Sequence, residues 1–211
     1  MTNVEKALAE LRKGNFVLVY DGDEREGEAD LIFHASFATP QKIEALRKDA
    51  GGLICAAVDF EYAKTLGLPF FTDLLEESGK KICKISCKKT AYGDKPAFSL
   101  PINHCEVYTG ITDNDRALTL RKLEEVLTRR IGDFEGEFYS PGHIFLLIGR
   151  GIENRKGHTE LSIELAKRAK LSGIMVLCEM LGKGKALSKD SVKKYAKKHN
   201  LVFLEGTDLL T

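Results

Sequence analysis

The stretch FVLVYDGDEREGEADLIFHA, residues 16–35, holds two apolar runs, FVLVY and LIFHA, that read as β-strands on either side of an acidic segment. From Asp23 to Asp30, eight residues carry five carboxylates and one arginine. A hairpin turn needs only one or two polar residues and a glycine, and crowded carboxylates repel one another unless a cation holds them. If the segment continues the second strand, Glu26, Glu28 and Asp30 alternate onto one face, separated by the small residues Gly27 and Ala29. Three carboxylates on one face suit a hard divalent ion such as Mg2+, which takes oxygen ligands. A solvated edge or turn is the competing reading of the acidic run taken alone.

Helices and strands alternate outward from this stretch. Before it, Val4, Ala7, Leu8 and Leu11 recur at helical spacing behind a capping-box pair, Thr2 and Glu5, and Gly14 supplies the stop. After it, TPQKIEALRKDAG (39–51) predicts a helix capped by Thr39 with Pro40 in its first turn, and LICAAV (53–58) a strand. Further strands are expected at AFSLPINH (97–104), IFLLI (144–148), GIMVLCEM (173–180) and LVFL (201–204). Helices are expected at NDRALTLRKLEEVL (114–127), TELSIELAKRAKL (159–171) and SKDSVKKYAKKH (188–199), the last capped by Ser188. The strand connections are irregular, so a mixed β-sheet flanked by helices, in a single α+β domain covering residues 1–211, fits better than a uniform parallel sheet. The basic stretch from Glu76 to Pro96 resists assignment and is the candidate for a mobile flap.

Composition excludes several functions. At 211 residues and 43% hydrophobic content, the chain can bury one substantial core. Lysine plus arginine total 32 against 31 for aspartate plus glutamate, so no overall field favours nucleic acid or an anionic membrane. With an aromatic content of 8%, lysine runs such as KKICKISCKK (80–89) and those between Lys183 and Lys198 read as solvated faces. No apolar run approaches the ~20 residues of a membrane span, and MTNVEKALAELRKG lacks the apolar core of a signal peptide; a cytoplasmic location is expected. Cys55, Cys83, Cys87, Cys105 and Cys178 are odd in number and form no CxxC pair, against a disulfide scaffold or a zinc–cysteine centre.

Three further segments bear on the acidic run. NRKGHTE (154–160) puts Arg155, Gly157, His158 and Thr159 at a helix start, where free backbone N–H groups, an arginine and a hydroxyl make a phosphate seat. SPGH (140–143) ends on His143 at the mouth of the strand IFLLI. LCEM (177–180) surrounds Glu179 with apolar residues, a setting that fits a carboxyl for proton transfer. Singly, each has a plainer reading: a hydrogen-bonded structural histidine, a solvated strand end, an ordinary N-cap.

Taken together, DEREGEAD, TGITDNDRA (109–117), SPGH, RKGHTE and CEM, in that order, resemble the 3,4-dihydroxy-2-butanone 4-phosphate synthases of riboflavin biosynthesis. The resemblance runs from Val4 to about Asn200, and the organisation looks like the free-standing archaeal form. It implies the fold of that family and a lyase converting D-ribulose 5-phosphate to L-3,4-dihydroxy-2-butanone 4-phosphate and formate. It implies a centre that uses Mg2+, or Mn2+ in its place, with room for two ions. Carried over by position, Glu26 and His158 are the metal ligands, and Arg25, Glu26 and Asp30 contact the substrate. Arg155 and Thr159 belong to the substrate-phosphate site, Lys156, Gly157 and His158 also bind substrate, Thr109 and Thr112 line the phosphate or sugar end, and His143 and Glu179 are catalytic, Glu179 also touching substrate. The resemblance further implies a homodimer with active sites at the interface.

The chain departs from the family pattern at Ala29, where bacterial members commonly have glycine. It departs again after Glu179, where LGKGKALS (181–188) replaces an acidic pair with basic residues. Two rival activities share parts of the pattern. A noncatalytic phosphosugar-binding module needs Arg155 and Thr159 but not Glu26, His158, His143 and Glu179 together. A metal-dependent sugar-phosphate isomerase shares the site and releases no formate.

Overall fold

A computed structural model describes residues 1–79, 81–86, 90–129 and 132–210. Its elements run α1 (Asn3–Arg12), β1 (Val17–Tyr20), β2 (Ala29–His34), α2 (Pro40–Ala45), β3 (Cys55–Val58), α3 (Phe60–Thr65), α4 (Phe71–Glu77), α5 (Cys83–Ser86) and β4 (Phe98–His104). They continue with α6 (Asp113–Arg129), α7 (Phe134–Glu137), β5 (Phe138–Ile148), α8 (His158–Arg168), β6 (Ile174–Glu179), α9 (Lys189–His199) and β7 (Val202–Glu205). The strands expected from the sequence are all present. So are the caps: the Thr2–Glu5 box on α1, Thr39 on α2 and Ser188 on α9. The helix expected over 39–51 is α2 followed by a π-helical turn, Leu46–Ala50, that Gly51 closes at φ +87.

Among the described residues the strands form one mixed sheet in the order β4-β5-β3-β6-β2-β1-β7. The pairs β1–β7 and β3–β5 are parallel, and β1–β2, β2–β6, β3–β6 and β4–β5 are antiparallel. Both faces are covered. Leu18, Leu31, Phe33, Ala56, Leu146 and Val176 point into one core with Ile43 of α2, Leu120 of α6 and Val192 of α9. Val19, Ile32, Cys55, Leu147 and Leu177 point into the other with Leu11 of α1 and Leu161 and Leu165 of α8. Burial on both faces is why the strands read as continuous apolar runs and not as alternating ones.

Two expectations are corrected. The acidic run does not continue β2 but takes its competing reading, because residues 23–26 form a turn and the strand starts only at Ala29. Gly27 takes φ +67, which ends an extended chain, and the Asp21 carboxylate accepts the N–H groups of Glu26 and Glu28 at 3.1 Å each. The expected row of Glu26, Glu28 and Asp30 on one strand face is therefore not formed. SPGH, in turn, lies inside β5 and not ahead of it. The first half of β5 pairs only with β4, since β3 joins at Cys55 opposite Phe145, so Pro141 is tolerated and His143 stays exposed. Cys87 and its neighbouring lysines lie outside the described residues.

Candidate active site

Strand register gathers the site. Ile32, Leu177, Cys55 and Phe145 stand in one row across β2, β6, β3 and β5. Two residues along, on the same face and at the same end of the sheet, come Asp30, Glu179 and His143, with Asp30 paired to Glu179. α8 packs on that face and begins at His158, so the helix start expected from NRKGHTE arrives beside Asp30.

His158 is buried, with Nε2 3.1 Å from the Glu28 carbonyl oxygen and 3.7 Å from Asp30 Oδ1. The carbonyl only accepts, which assigns the ring proton to Nε2 and leaves the Nδ1 lone pair facing Glu26 Oε2 at 3.8 Å. Asp21, Glu26 and His158 offer ligand atoms within 4.8 Å of one another. Two carboxylates and an imidazole held through its far nitrogen fit a divalent cation that keeps water or substrate oxygens in its other positions. Asp21 was not singled out in the sequence. Its oxygens also bind Arg25 and the turn's backbone, so it shapes the loop that carries Glu26.

The charges are strongly coupled. Burial pushes the Asp30 carboxyl up to about 7, with Glu179 and Glu26 adding to the rise and His158 opposing it. Its Oδ1 is buried and makes no hydrogen bond among the described residues. Burial works against the His158 cation, but Asp30, Asp21 and Glu26 hold the imidazole above its usual range. Burial likewise raises Glu28, helped by Glu26 and Glu179.

Two arginines offset this negative charge. Arg25 reaches Asp21 and Glu26 through Nη1, 3.1 Å each, and Asp94 through Nη2 at 2.7 Å, with its guanidinium 4.9 Å from the centre of the Tyr92 ring. Arg155 lies 3.4 Å from the same Asp94 oxygen and 2.6 Å from Glu160. The cations that the crowded carboxylates require thus come first from within the chain. Asp94 and Tyr92 belong to the stretch that the sequence left unassigned; Tyr92 lines the site with Thr90 and Pro96, and Asp94 ties the two arginines together beside it.

The resulting cavity, about 220 Å³, is lined by Glu26, Asp30, Cys55, Arg155, His158, Thr159 and Glu179 together with that segment. Glu179 Oε2 accepts the Leu53 N–H at 2.7 Å, which fixes the carboxylate at the cavity wall. Other candidates fall elsewhere. Lys156 lines a separate space of about 410 Å³ with Asp21, Glu205 and Thr207. His143 is exposed, its N–H donating to Asn103 Oδ1 (2.8 Å) and its Nδ1 lying 3.2 Å from Asn103 Nδ2. Thr109 and Thr112 are exposed and bond Asp115 at the start of α6. Their loop abuts Asn103, since a side chain at Gly110 would run into its amide. His143 lies two strand spacings from Glu179, about 10 Å of sheet.

The family model of 3,4-dihydroxy-2-butanone 4-phosphate synthase matches residues 5–211. The chain belongs to that synthase family. It is 42% identical to the 3,4-dihydroxy-2-butanone 4-phosphate synthase of Methanothermobacter thermautotrophicus, over 98% of this chain and 94% of that protein. It is 43% identical to the synthase of Methanosarcina mazei, over 99% of this chain and 90% of that one. A solved synthase structure in complex with two magnesium ions matches with a TM-score of 0.79 at 25% identity, covering 99% of this chain and 95% of that one. The α+β mixed sheet expected from the motifs is therefore the synthase fold. No helix among the described residues is long and apolar enough to cross a membrane.

Proposed function

We propose that this member of the synthase family converts D-ribulose 5-phosphate to L-3,4-dihydroxy-2-butanone 4-phosphate and formate, supplying riboflavin biosynthesis in the cytoplasm. The observation that carries the reading is the convergence of Glu26, Asp30, Arg155, His158, Thr159 and Glu179 on one cavity. Glu26 and His158 are the residues that would hold Mg2+, with Asp21 at the same centre, and the relative holding two magnesium ions supports that choice. Mn2+ suits the same oxygen and imidazole donors. A divalent ion bound there supplies Lewis-acid polarisation of the substrate's carbonyl and hydroxyl oxygens.

The chain's own groups account for the rest. Arg155, Thr159 and the N-terminus of α8 bind the phosphate and hold a flexible sugar through several steps. Enolisation, water loss, a carbon-skeleton shift and excision of C4 as formate need groups that both give and take protons. Asp30, with its carboxyl near 7, can hold a proton at Oδ1 or release it at neutral pH. Glu179, pinned by Leu53, is the second carboxylate within reach of the cavity.

His143, Thr109 and Thr112 serve the site of a second copy in a homodimer. Their exposed cluster carries Tyr108, Ile111 and Tyr139, apolar surface that a partner would cover, and Asn103 orients the His143 ring toward solvent. The deciding experiment incubates the protein with ribulose 5-phosphate and Mg2+ and assays formate against the four-carbon phosphate. Equimolar products, lost in excess chelator, are expected. Sugar-phosphate isomerisation without formate would overturn the reading.

A further inference from the structure

Glu160 is the third residue of α8, where a glutamate commonly reaches back to cap its own helix. Here it turns elsewhere. Oε1 accepts the Arg150 N–H at 3.0 Å and Oε2 accepts from Arg155 Nη1 at 2.6 Å. The carboxylate side chain has no solvent exposure (0%), so its charge is tolerable only because both oxygens are paired. The other flank of the guanidinium is Gly157. A Cβ there would stand 2.3 Å from Nη1 and 2.7 Å from Cζ of Arg155. Gly157 has φ −85, open to any residue, so close approach and not backbone conformation calls for glycine.

With Nη1 taken by Glu160, Arg155 keeps its Nε–Nη2 edge, the pair of donors that can bind an anion in bidentate fashion. Nε is buried and makes no hydrogen bond among the described residues, facing Asp94 at 3.4 Å, and Nη2 stands 3.9 Å from Glu26 Oε1, so a bound phosphate replaces two carboxylates along this edge. We infer that Glu160, with the bare Cα of Gly157, is a positioning residue that locks the Arg155 guanidinium with this edge toward the substrate phosphate, and never touches substrate itself. The inference rests on the reading of Arg155 as a phosphate ligand.

The test measures orthophosphate affinity, and KM and kcat for ribulose 5-phosphate, in Glu160→Gln, Glu160→Asp, Gly157→Ala, Arg155→Ala and the double variant Glu160→Gln/Arg155→Ala. Gly157→Ala pushes the end of Arg155 away from Glu160 and deprives that buried carboxylate of a partner, so its melting temperature should fall, and binding is read at a temperature where the variant is still folded. Glu160→Gln and Gly157→Ala are expected to weaken orthophosphate binding and raise KM by about tenfold each, with kcat within about threefold. Glu160→Asp should recover part of the loss, and Glu160→Gln should add nothing in the Arg155→Ala background. Unchanged phosphate affinity in Gly157→Ala and Glu160→Gln overturns the inference. So does a loss from Glu160→Gln that is as large without Arg155 as with it. Should Glu160→Gln not fold, Gly157→Ala and Glu160→Asp decide by the same criteria. Because orthophosphate binding needs no turnover, a wild type that releases no formate yet shows this pattern sinks the proposed reaction and leaves the positioning role standing.

Discussion

Asp30 carries the charge least suited to its surroundings, buried on β2 with one oxygen unpaired among the described residues. Its carboxyl is pushed up to about 7, above the ordinary value of 3.8, so between those two the folded chain keeps a proton that the unfolded chain has lost. Stability must then fall as pH rises through that window. In metal-free protein, Asp30→Asn should be more stable than wild type at neutral pH by on the order of 2–4 kcal/mol, less the lost attraction to His158, with the gap closing below pH ~4. Urea unfolding across pH measures this, and a gap independent of pH would refute it. Glu179 and His143 are tested by kinetics. Glu179→Gln and His143→Asn keep shape but cannot exchange a proton, so turnover should drop at least ~10²-fold while Mg2+ and substrate still bind by calorimetry. Lost binding with the maximal rate intact would make Glu179 a binding residue instead.

The element that governs the proposed metal centre is the turn between β1 and β2. Asp21 gathers the N–H groups of Glu26 and Glu28 and the Arg25 side chain, and Gly27 takes the left-handed conformation that returns the chain to β2. A methyl group at Gly27 has room, its nearest neighbour being the Tyr20 hydroxyl at 3.6 Å, so the penalty of Gly27→Ala is one of backbone strain. It should cost about 1 kcal/mol of stability and weaken Mg2+ binding, because Glu26 is displaced with the turn. Thermal melts and a calorimetric Mg2+ titration read the two effects separately. A lowered melting temperature with unchanged Mg2+ affinity would show that Glu26 does not depend on this turn.

For the whole molecule, the decisive feature is that β3 lies between the strand carrying His143 and the strand carrying Glu179. If each cavity is completed by the partner's His143, two inactive variants should complement each other. Equal amounts of His143→Asn and Glu179→Gln, unfolded and refolded together, would give hybrids with one intact site, hence about a quarter of wild-type activity for random pairing of two chains. If both residues act within one chain, the mixture stays as inactive as its components. The outcome bears on subunit organisation alone, since either result leaves the site around Glu26 and His158 as it is.

Short-range pattern sufficed for α1, α9 and the positions of the strands, because a capping side chain or a run of apolar residues acts within a few positions of itself. It did not suffice to group Glu26, Arg155, His158, Thr159 and Glu179, whose motifs singly had plainer readings; the family resemblance put them together in the sequence, and the fold places all five on one cavity. The turn at 23–26 stood open against a strand, since alternating carboxylates and small residues fit either until the φ of Gly27 is known. Asp94 escaped for another reason: its role depends on meeting Arg25, 69 residues away, and Arg155 at the same point, and nothing local to GDKP marks that contact. The sequence alone determined which chemistry-bearing motifs this chain carries and in what order. Tertiary structure alone decided which of them share a cavity, because strand order, with β3 inserted between β5 and β6, sets distances that no spacing along the chain encodes.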